Sequence, residues 1–593
     1  MRSKSNVLDG IQVFGVAGTE TVSFGITATA AARVNLLGFG LRRKDNATGV
    51  EVTVHGYKVF KSLIPKPTRD TSVSTFDHPI QSFVWDDYDA DPSTSYTYTF
   101  VPMRLKSATS APKDGLASGT EVPIKITTEA LVGTTHDIYF NRGVTAGQYY
   151  AQQFDNKAPK NLGAKRAAAE AYLSHGLDKA IEAFIAAAQP GDTLRCCFYE
   201  FTFAAVLDSL KAAIDRGVNV KIIVDMKENQ YDSHEKQKNG TIKTVHHLSA
   251  PRTENLKAIK LAKLPDSAIL ARVARKDAIA HNKFMVLVRG GVPLEVWTGS
   301  TNITDGGIYG QANVGHRVKQ PALAATYLAY WTLLSTDPGA PTAKAGDPVN
   351  VAFRTAVENL TPTPASIAAI PNGVSAVFSP RDDLGPLNLY VQLLASSTQL
   401  GCITLAFGIP AEVKAVIKAQ TTDSPLKFML LDKKDAPTAK NKATFIQLNW
   451  RENVYEAFGA AITSDFGKWI TETTNRTIGL NTFVSFVHLK FLLRDPLGAD
   501  PIVVTGSANF SDASTITNDE NMIVVRGDLR VADIYFTEFN RLWGHYYVRA
   551  VFEQTNSTDW QFLDEKPGPW LANYAEGKLR SKRVATYEHM VIV

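Results

Sequence analysis

Cysteine is scarce: only Cys196, Cys197 and Cys402 occur in 593 residues, and two of them are neighbours. Adjacent cysteines bridge each other only with strain, so neither a disulfide framework nor a cysteine-based zinc pattern can be drawn. Long hydrophobic runs are also missing, and no stretch approaches the roughly eighteen apolar residues of a membrane-crossing helix. The segment Met1 to Gly25 has two early cations but no apolar stretch followed by a small-residue cleavage site, so no signal peptide is recognised. A soluble protein is expected, either cytoplasmic or exported by a leaderless route. Charge of one sign is lacking too. The 63 basic and 58 acidic residues leave +5, too mild by itself to signal nucleic acid or anionic lipid.

What is there is ordinary globular material, 44% hydrophobic and 20% charged, enough to bury sizeable cores in about three or four domains. Residues 1–145 alternate apolar and polar positions in runs such as Glu51-Val-Thr-Val-His-Gly-Tyr-Lys-Val-Phe, separated by Gly- and Pro-containing turns. Period two predicts half-buried strands, and several in series predict an all-β sandwich. The segment Phe83-Val-Trp-Asp-Asp-Tyr, followed by Tyr96-Thr-Tyr-Thr-Phe, resembles fibronectin type III-like modules. No catalytic part is assigned to this region.

From about 165 the texture is α/β. The strand Leu194–Tyr199, the helix Ala204–Arg216 and the strand Val220–Asp225 form a β-α-β progression, which predicts a parallel sheet flanked by helices. The second half repeats it with Leu400–Phe407, Ala411–Ala419 and Leu426–Asp432. The expected units are a first lobe over 146–336, a Pro-, Ala- and Thr-rich linker over 337–370, and a second lobe over 371–593.

The repeat carries reactive residues. His281-Asn282-Lys283 is followed by Gly299-Ser300-Thr301-Asn302; His488-Leu489-Lys490 is followed by Gly506-Ser507-Ala508-Asn509. Each member lies 207 positions from its counterpart (281 to 488), and the same offset relates the strand ends Asp225 and Asp432. This marks a duplicated domain rather than a repeated loop. Residues two apart on a strand share a face, so His281 projects with Lys283 and His488 with Lys490. Bringing the copies together about a two-fold axis places two imidazoles across one pocket. Lys283, Lys490, Asn302 and Asn509 then ring a single phosphate, with Ser300 and Ser507 as substrate contacts. Such a set suits two-step phosphodiester cleavage: one neutral imidazole attacks phosphorus, and the other protonates the leaving oxygen and then activates water. Lysines and amides would steady the charge on the non-bridging oxygens, so no metal or cofactor is expected.

The paired His-x-Lys with Gly-Ser-x-Asn resembles the phospholipase D superfamily, whose fuller motif is His-x-Lys-x4-Asp. The resemblance covers roughly residues 165–555 and implies two pseudo-symmetric lobes of mixed sheet flanked by helices. The second copy has Asp495 at the motif's acid, where structural support is the expected role; the first has Val288. A further family acid, eleven residues after the motif Asn, is Glu520 in the second copy and Asn313 in the first. That loss of acids from one half resembles the tyrosyl-DNA phosphodiesterase branch. A carboxylate beside His488 would favour its imidazolium, and an amide, Asn313, beside His281 would leave that ring neutral. The resulting assignment makes His281 the nucleophile and His488 the acid/base, held by Glu520.

The resemblance implies a phosphodiesterase acting on glycerophospholipid head-group esters, with transfer to other alcohols. The same pocket in a metal-independent nuclease is the alternative, and a silent binding scaffold a third. Partners are then a phospholipid, with peripheral membrane contact, or a nucleic acid. The inserts at 228–280 and 433–487 could supply a rim, and Lys236, Lys238, Lys257, Lys260 and Lys263 could track a nucleic-acid backbone. Duplication within one chain makes a monomer sufficient. Trp297, Tyr309 and Phe510 read better as core than as pocket lining, His246, His247 and His316 as structural or surface groups, and Lys578 to Arg583 as a solvated tail. Glu200 stands at a strand end where the second copy has Phe407, which leaves a substrate-side role open without supporting one.

Overall fold

The structure is a computed structural model; it describes residues 1–68, 71–143, 147–228, 231–236, 242–247, 251–434, 453–459, 478–480, 484–555 and 561–592.

The N-terminal region is all-β. The strands Arg2–Lys4, Ile11–Ala17, Val22–Ala28 and Val84–Asp87 form one antiparallel sheet. Leu116–Ser118, Ser95–Leu105, Leu36–Asp45 and Glu51–Thr53 form a second, with Val122–Thr127 also paired to Ser95–Leu105. In Val122–Thr127 the buried Val122, Ile124 and Ile126 alternate with exposed Pro123 and Lys125, the pattern of a strand with one wet face. Both sheets share a core of Val13, Phe24, Phe39, Tyr98, Phe100 and Ile124.

That core is completed from the far end of the chain. Trp570, Tyr574 and Val584 pack into it, and Phe562 pairs with Val59. The expected solvated tail is instead the helix Leu579–Glu588, in which Arg583 lies 5.5 Å from the Phe428 ring centre and 5.3 Å from that of Trp543. A guanidinium can lie flat on aromatic faces, which is why a basic run here is not simply solvated.

The two lobes repeat one sheet. In the first, β1 (His136–Phe140), β2 (Thr193–Phe198), β3 (Asn219–Asp225), β4 (Ile269–Arg272), β5 (Lys283–Arg289), β6 (Val292–Gly299) and β7 (Val314–Val318) lie in the order β1-β7-β6-β5-β2-β3-β4. In the second, β8 (Gly373–Ser379), β9 (Leu400–Leu405), β10 (Leu426–Leu431), β11 (Val454–Phe458), β12 (Phe491–Arg494), β13 (Ile502–Gly506) and β14 (Glu520–Arg526) lie in the order β8-β14-β13-β12-β9-β10-β11. Only the last three strands of each order run parallel, so the β-α-β signal marked one half of a mixed sheet.

Two expected boundaries move. Strand β1 falls inside 1–145 but pairs with β7, so the first lobe begins at His136; its short alternating run looks like one more sandwich strand. The stretch 337–370 contains the helix Pro348–Leu360, whose Asn350, Phe353 and Val357 are buried. Pro348 sits in that helix's first turn, where its missing N–H costs nothing, so the proline-rich reading misled. The lobes share one apolar core. Tyr330, on the helix Pro321–Leu334, stacks on Phe378 of β8 at 4.2 Å, and Phe140 of β1 meets Tyr535 of the helix Leu529–Thr555 at 5.2 Å.

Candidate active site

Each motif histidine precedes a central strand, and each is held by main chain from the opposite lobe. His281 N–H donates to the Asp519 carbonyl at 2.9 Å, and His488 N–H donates to the Ala312 carbonyl at 3.1 Å. Short parallel bridges join Ala280 to Asp519 and Val487 to Ala312. These four residues obey the 207 offset (280 to 487, 312 to 519), so the duplication includes the contact that joins its halves. Behind each histidine an aspartate fixes the incoming loop. Asp225 Oδ2 accepts from Ala280 N–H at 2.9 Å, and Asp432 Oδ1 accepts from Val487 N–H at 2.9 Å.

The bridges decide which side group meets which imidazole. Glu520 follows Asp519, and its Oε2 lies 2.9 Å from His281 Nδ1. Asn313 follows Ala312, and its Oδ1 lies 2.9 Å from His488 Nδ1. The expected pairing of Glu520 with His488 is therefore corrected: the acid of the second copy serves the histidine of the first. Sequence distance favoured a partner within one lobe, but the parallel bridge presents each brace to the other lobe. The imidazole rings face each other with centres 6.4 Å apart and planes 78° apart.

Each motif lysine reaches back to the histidine before it. Lys283 Nζ donates to the His281 carbonyl at 2.6 Å, and Lys490 Nζ donates to the His488 carbonyl at 2.7 Å. An ammonium has two further donors to offer an anion. Asn302 Nδ2 donates to Glu200 Oε2. The Oδ1 atoms of Asn302 and Asn509 are buried and have no partner among the described residues. Unpaired buried polar atoms are costly, so their occurrence at matching positions points to a ligand site.

Ser300 and Ser507 do not have their expected place against substrate. Ser300 Oγ donates to Asn313 Oδ1 at 2.8 Å, and Ser507 Oγ donates to Glu520 Oε2 at 2.6 Å. Both serines are fully buried, so each hydroxyl steadies the group that braces a histidine. The preceding glycines make this possible. A Cβ on Gly299 would overlap the Val314 carbonyl, and one on Gly506 would overlap the Asn521 carbonyl. After Asn302 and Asn509 the chain makes matching π-helical turns, Gly306–Gly310 and Ala513–Thr517. Such turns recur at functional sites.

Asp495 lies at the far end of β12 from His488. Its carboxylate accepts the N–H groups of Thr398 (2.9 Å), Gln399 (2.8 Å) and Leu400 (3.1 Å), fastening the start of β9. Asp495→Ala would orphan these donors, so we expect a loss of about 3 kcal/mol, read as a lowered urea midpoint. Trp297, Tyr309 and Phe510 are core residues. His316 is buried between His136 and Tyr535, away from the motifs' hydrogen bonds. Lys257, Lys260 and Lys263 are exposed, on or just beyond the helix Arg252–Leu261. Lys238, most of the 433–487 insert and the side chains of Lys236, His246 and His247 lie outside the described residues.

Sequence reasoning gave no role to Asp225, Asp432 and Asp519, left Glu200 open, and set Asn313 beside His281, whereas its oxygen faces His488 Nδ1. The aspartates were detectable: Asp225 and Asp432 obey the offset, and Asp519 immediately precedes a family acid.

Burial sets the electrostatics. It pushes His281 down to about 4, against the pull of the Glu520 carboxylate. His488 lies well below the ordinary histidine value through burial, then through the charges of Lys490 and Lys283. Burial lowers Lys283 to about 8, with Glu520 and Glu200 opposing, and lowers Lys490 strongly, helped by Lys283. Burial would raise Glu520, but His281 and Lys283 hold it below the usual glutamate value. The site by itself thus holds neutral imidazoles and reluctant cations, a state that a bound anion reverses. In the free protein, kcat/KM should fall by about pH 8 at the latest, where Lys283 sheds its proton, with the strongly lowered Lys490 adding to the loss, and again near pH 4, where His281 gains one. A pH profile of kcat/KM from 4 to 10 checks both limbs.

Two lobes of one strand order, with His, Lys and Asn at matching positions and the two imidazoles 6.4 Å apart, define the phospholipase D-like class. The family described as cardiolipin synthase, PLD-like domain, matches residues 181–332 and 391–543, just over half of the sequence, and the chain belongs to that family. Among solved structures, the chain is similar to phosphatidylserine synthase of Haemophilus influenzae Rd KW20, at 13% identity and TM-score 0.40, covering 70% of this chain and 94% of that one. Similarity to polyphosphate kinase from Porphyromonas gingivalis is 9% identity with TM-score 0.37, covering 65% of this chain and 54% of the kinase. Nuc from Salmonella typhimurium, a phospholipase D family member, is 24% identical over 26% of this chain and 83% of its own, with TM-score 0.19. This chain therefore spans only about half the length of the polyphosphate kinase it resembles. No protein of curated function matches it. Among the described residues no helix is long and apolar enough to cross a membrane.

Proposed function

We propose that the protein is a phosphodiester hydrolase and transferase working through a phosphohistidine on His281, with glycerophospholipid head-group esters as substrates. The observation that carries this reading is the facing pair of imidazoles, each with Nδ1 engaged and Nε2 left for chemistry.

Glu520 accepts from His281 Nδ1–H, which fixes the tautomer with its lone pair on Nε2. Nε2 attacks phosphorus, the bond to the leaving oxygen breaks, and His488, protonated on both nitrogens once the anionic substrate is bound, gives its Nε2 proton to that oxygen. The phosphorylated imidazole is cationic, and the Glu520 carboxylate stabilises it. His488 has only the neutral Asn313 amide behind it, so its imidazolium is less stabilised and gives up its proton readily. In the second step, His488 takes a proton from water or an alcohol, whose oxygen attacks phosphorus, and the P–N bond breaks. Lys283, Lys490, Asn302 and Asn509 counter the charge on the non-bridging oxygens. The roles of the two histidines thus stay as expected from the sequence, for the opposite reason: the carboxylate belongs behind the nucleophile.

The lipid assignment is supported by the description of the matching family. To test it, pure protein is incubated in EDTA with phosphatidylcholine, phosphatidylglycerol and cardiolipin vesicles, and separately with plasmid and single-stranded DNA. Head-group release or exchange without nicking is the expected result. Nicking without any lipid product would overturn the lipid assignment, and failure of both would overturn the enzyme reading.

A further inference from the structure

Residues 200 and 407 occupy the same place in the two lobes, each two positions beyond the strand that ends beside the pocket, and they are chemically unlike. In the second lobe the residue is Phe407, 63% exposed. In the first it is Glu200, whose Oε2 accepts from the catalytic-motif amide Asn302 Nδ2. The main chain holds it there: Ile303 N–H donates to the Glu200 carbonyl at 3.2 Å, and Tyr199 N–H donates to the Asn282 carbonyl at 3.1 Å. Phe198 pairs with Lys283 across β2 and β5, so the chain leaving β2 passes the phosphate-facing lysine. Burial raises Glu200 above the usual glutamate value, while Lys283, the Asn302 amide and Lys490 pull it back towards the carboxylate.

Counting charge gives this arrangement a consequence. The first lobe has Asn313 where the second has Glu520, and Glu200 where the second has Phe407. Each lobe thus contributes one carboxylate to the pocket, but at different depths. Glu520 lies behind His281 and is spent on its Nδ1 and on Ser507. Glu200 lies on the amide and beside the lysines that an anionic substrate must meet. Around a bound anion, with His281 neutral, His488 protonated as the leaving-group acid and both lysines charged, three cations face two carboxylates, and the sum is near +1. Without Glu200 the pocket would carry one more positive charge and would favour a dianion.

We propose that Glu200 is a specificity-determining residue that makes the pocket select singly charged phosphodiesters and reject doubly charged phosphomonoesters. This rests on the phosphodiesterase reading of the site. Displacement by an imidazole is open to either class in bond terms, so the charge of the pocket is what separates them. A phosphomonoester released by cleavage carries a second negative charge, so the same carboxylate favours its departure. Glu200 acts here by charge alone and needs no direct contact with substrate.

The test compares diethyl phosphate with ethyl phosphate, binding measured by calorimetry at pH 7.5, for the full chain and for Glu200→Gln and Glu200→Asp. Glutamine still accepts the Asn302 hydrogen bond, so the substitution removes charge and keeps shape. A fixed charge acts on a dianion twice as strongly as on a monoanion. The preference for ethyl phosphate over diethyl phosphate should therefore rise about tenfold or more in Glu200→Gln, for a screened interaction across several ångströms, and should stay near the parent value in Glu200→Asp. An unchanged ratio in Glu200→Gln, or equal gains for both anions, overturns the proposal and leaves the phosphodiesterase reading standing. Failure of the parent chain to bind either anion overturns both.

Discussion

His488→Ala should trap a phosphorylated enzyme, whereas His281→Ala should form none. With a lipid substrate both variants are expected to lose at least about 10⁴-fold in kcat, because removing one member of a concerted set costs nearly the whole chemical step. The contrast comes with an activated aryl phosphodiester, whose leaving group needs no proton. His281 can then still attack in His488→Ala, but water has no base to activate it, and the P–N adduct accumulates. Acid-labile phosphate, recovered on a peptide containing His281 after a rapid quench, is the expected signal. In His281→Ala the same label should be absent, since His488 has only an uncharged amide to steady a phosphorylated ring. Label on His488 in the parent chain would reverse the assignment of roles.

The assignment shows how far the sequence was informative. The offset of 207 positions revealed a duplication, and duplication with His, Lys and Asn on matching segments required two lobes meeting over one ligand. The repeated strand order and the 6.4 Å between imidazole centres agree with that. The partner of each histidine was not legible in the same way. Spacing within one copy ties Glu520 to His488, and only the bridge between Ala280 and Asp519 shows that the acid crosses to His281. A symmetric repeat cannot reveal from spacing alone whether its halves brace themselves or each other. The serines failed for a related reason: a hydroxyl beside a phosphate motif suggests phosphate, but a fully buried hydroxyl must donate to whatever acceptor packs against it.

Element boundaries were lost where local pattern and tertiary use diverge. The alternation in His136–Phe140 is that of any half-buried strand, and nothing in it tells which sheet supplies the neighbour. Trp570 and Tyr574 lie far in sequence from the sandwich core they enter. The first residues show the same long-range closure. Arg2 Nε meets Asp533 Oδ1 at 2.8 Å on the helix Leu529–Thr555, tying the sandwich to the second lobe. Such contacts depend on geometry that no local run encodes.

The crossed brace makes its own demand on the chemistry. Glu520→Gln should lower the rate of phosphoenzyme formation by about 10²- to 10³-fold, comparable with the loss of a preorganised electrostatic partner. Ser507 Oγ–H and His281 Nδ1–H both donate to Oε2 of Glu520, so a glutamine with its oxygen there keeps both hydrogen bonds and the tautomer while removing the charge. The cation formed on phosphorylation loses its counter-charge, and that loss falls on the first step. Proton transfer through His488, braced by Asn313, is untouched, so hydrolysis of preformed phosphoenzyme should slow far less than its formation. Single-turnover rates separate the two steps. A Glu520→Gln enzyme that forms phosphoenzyme at the parent rate but fails to hydrolyse it would return the carboxylate to the acid/base half and contradict the crossed arrangement.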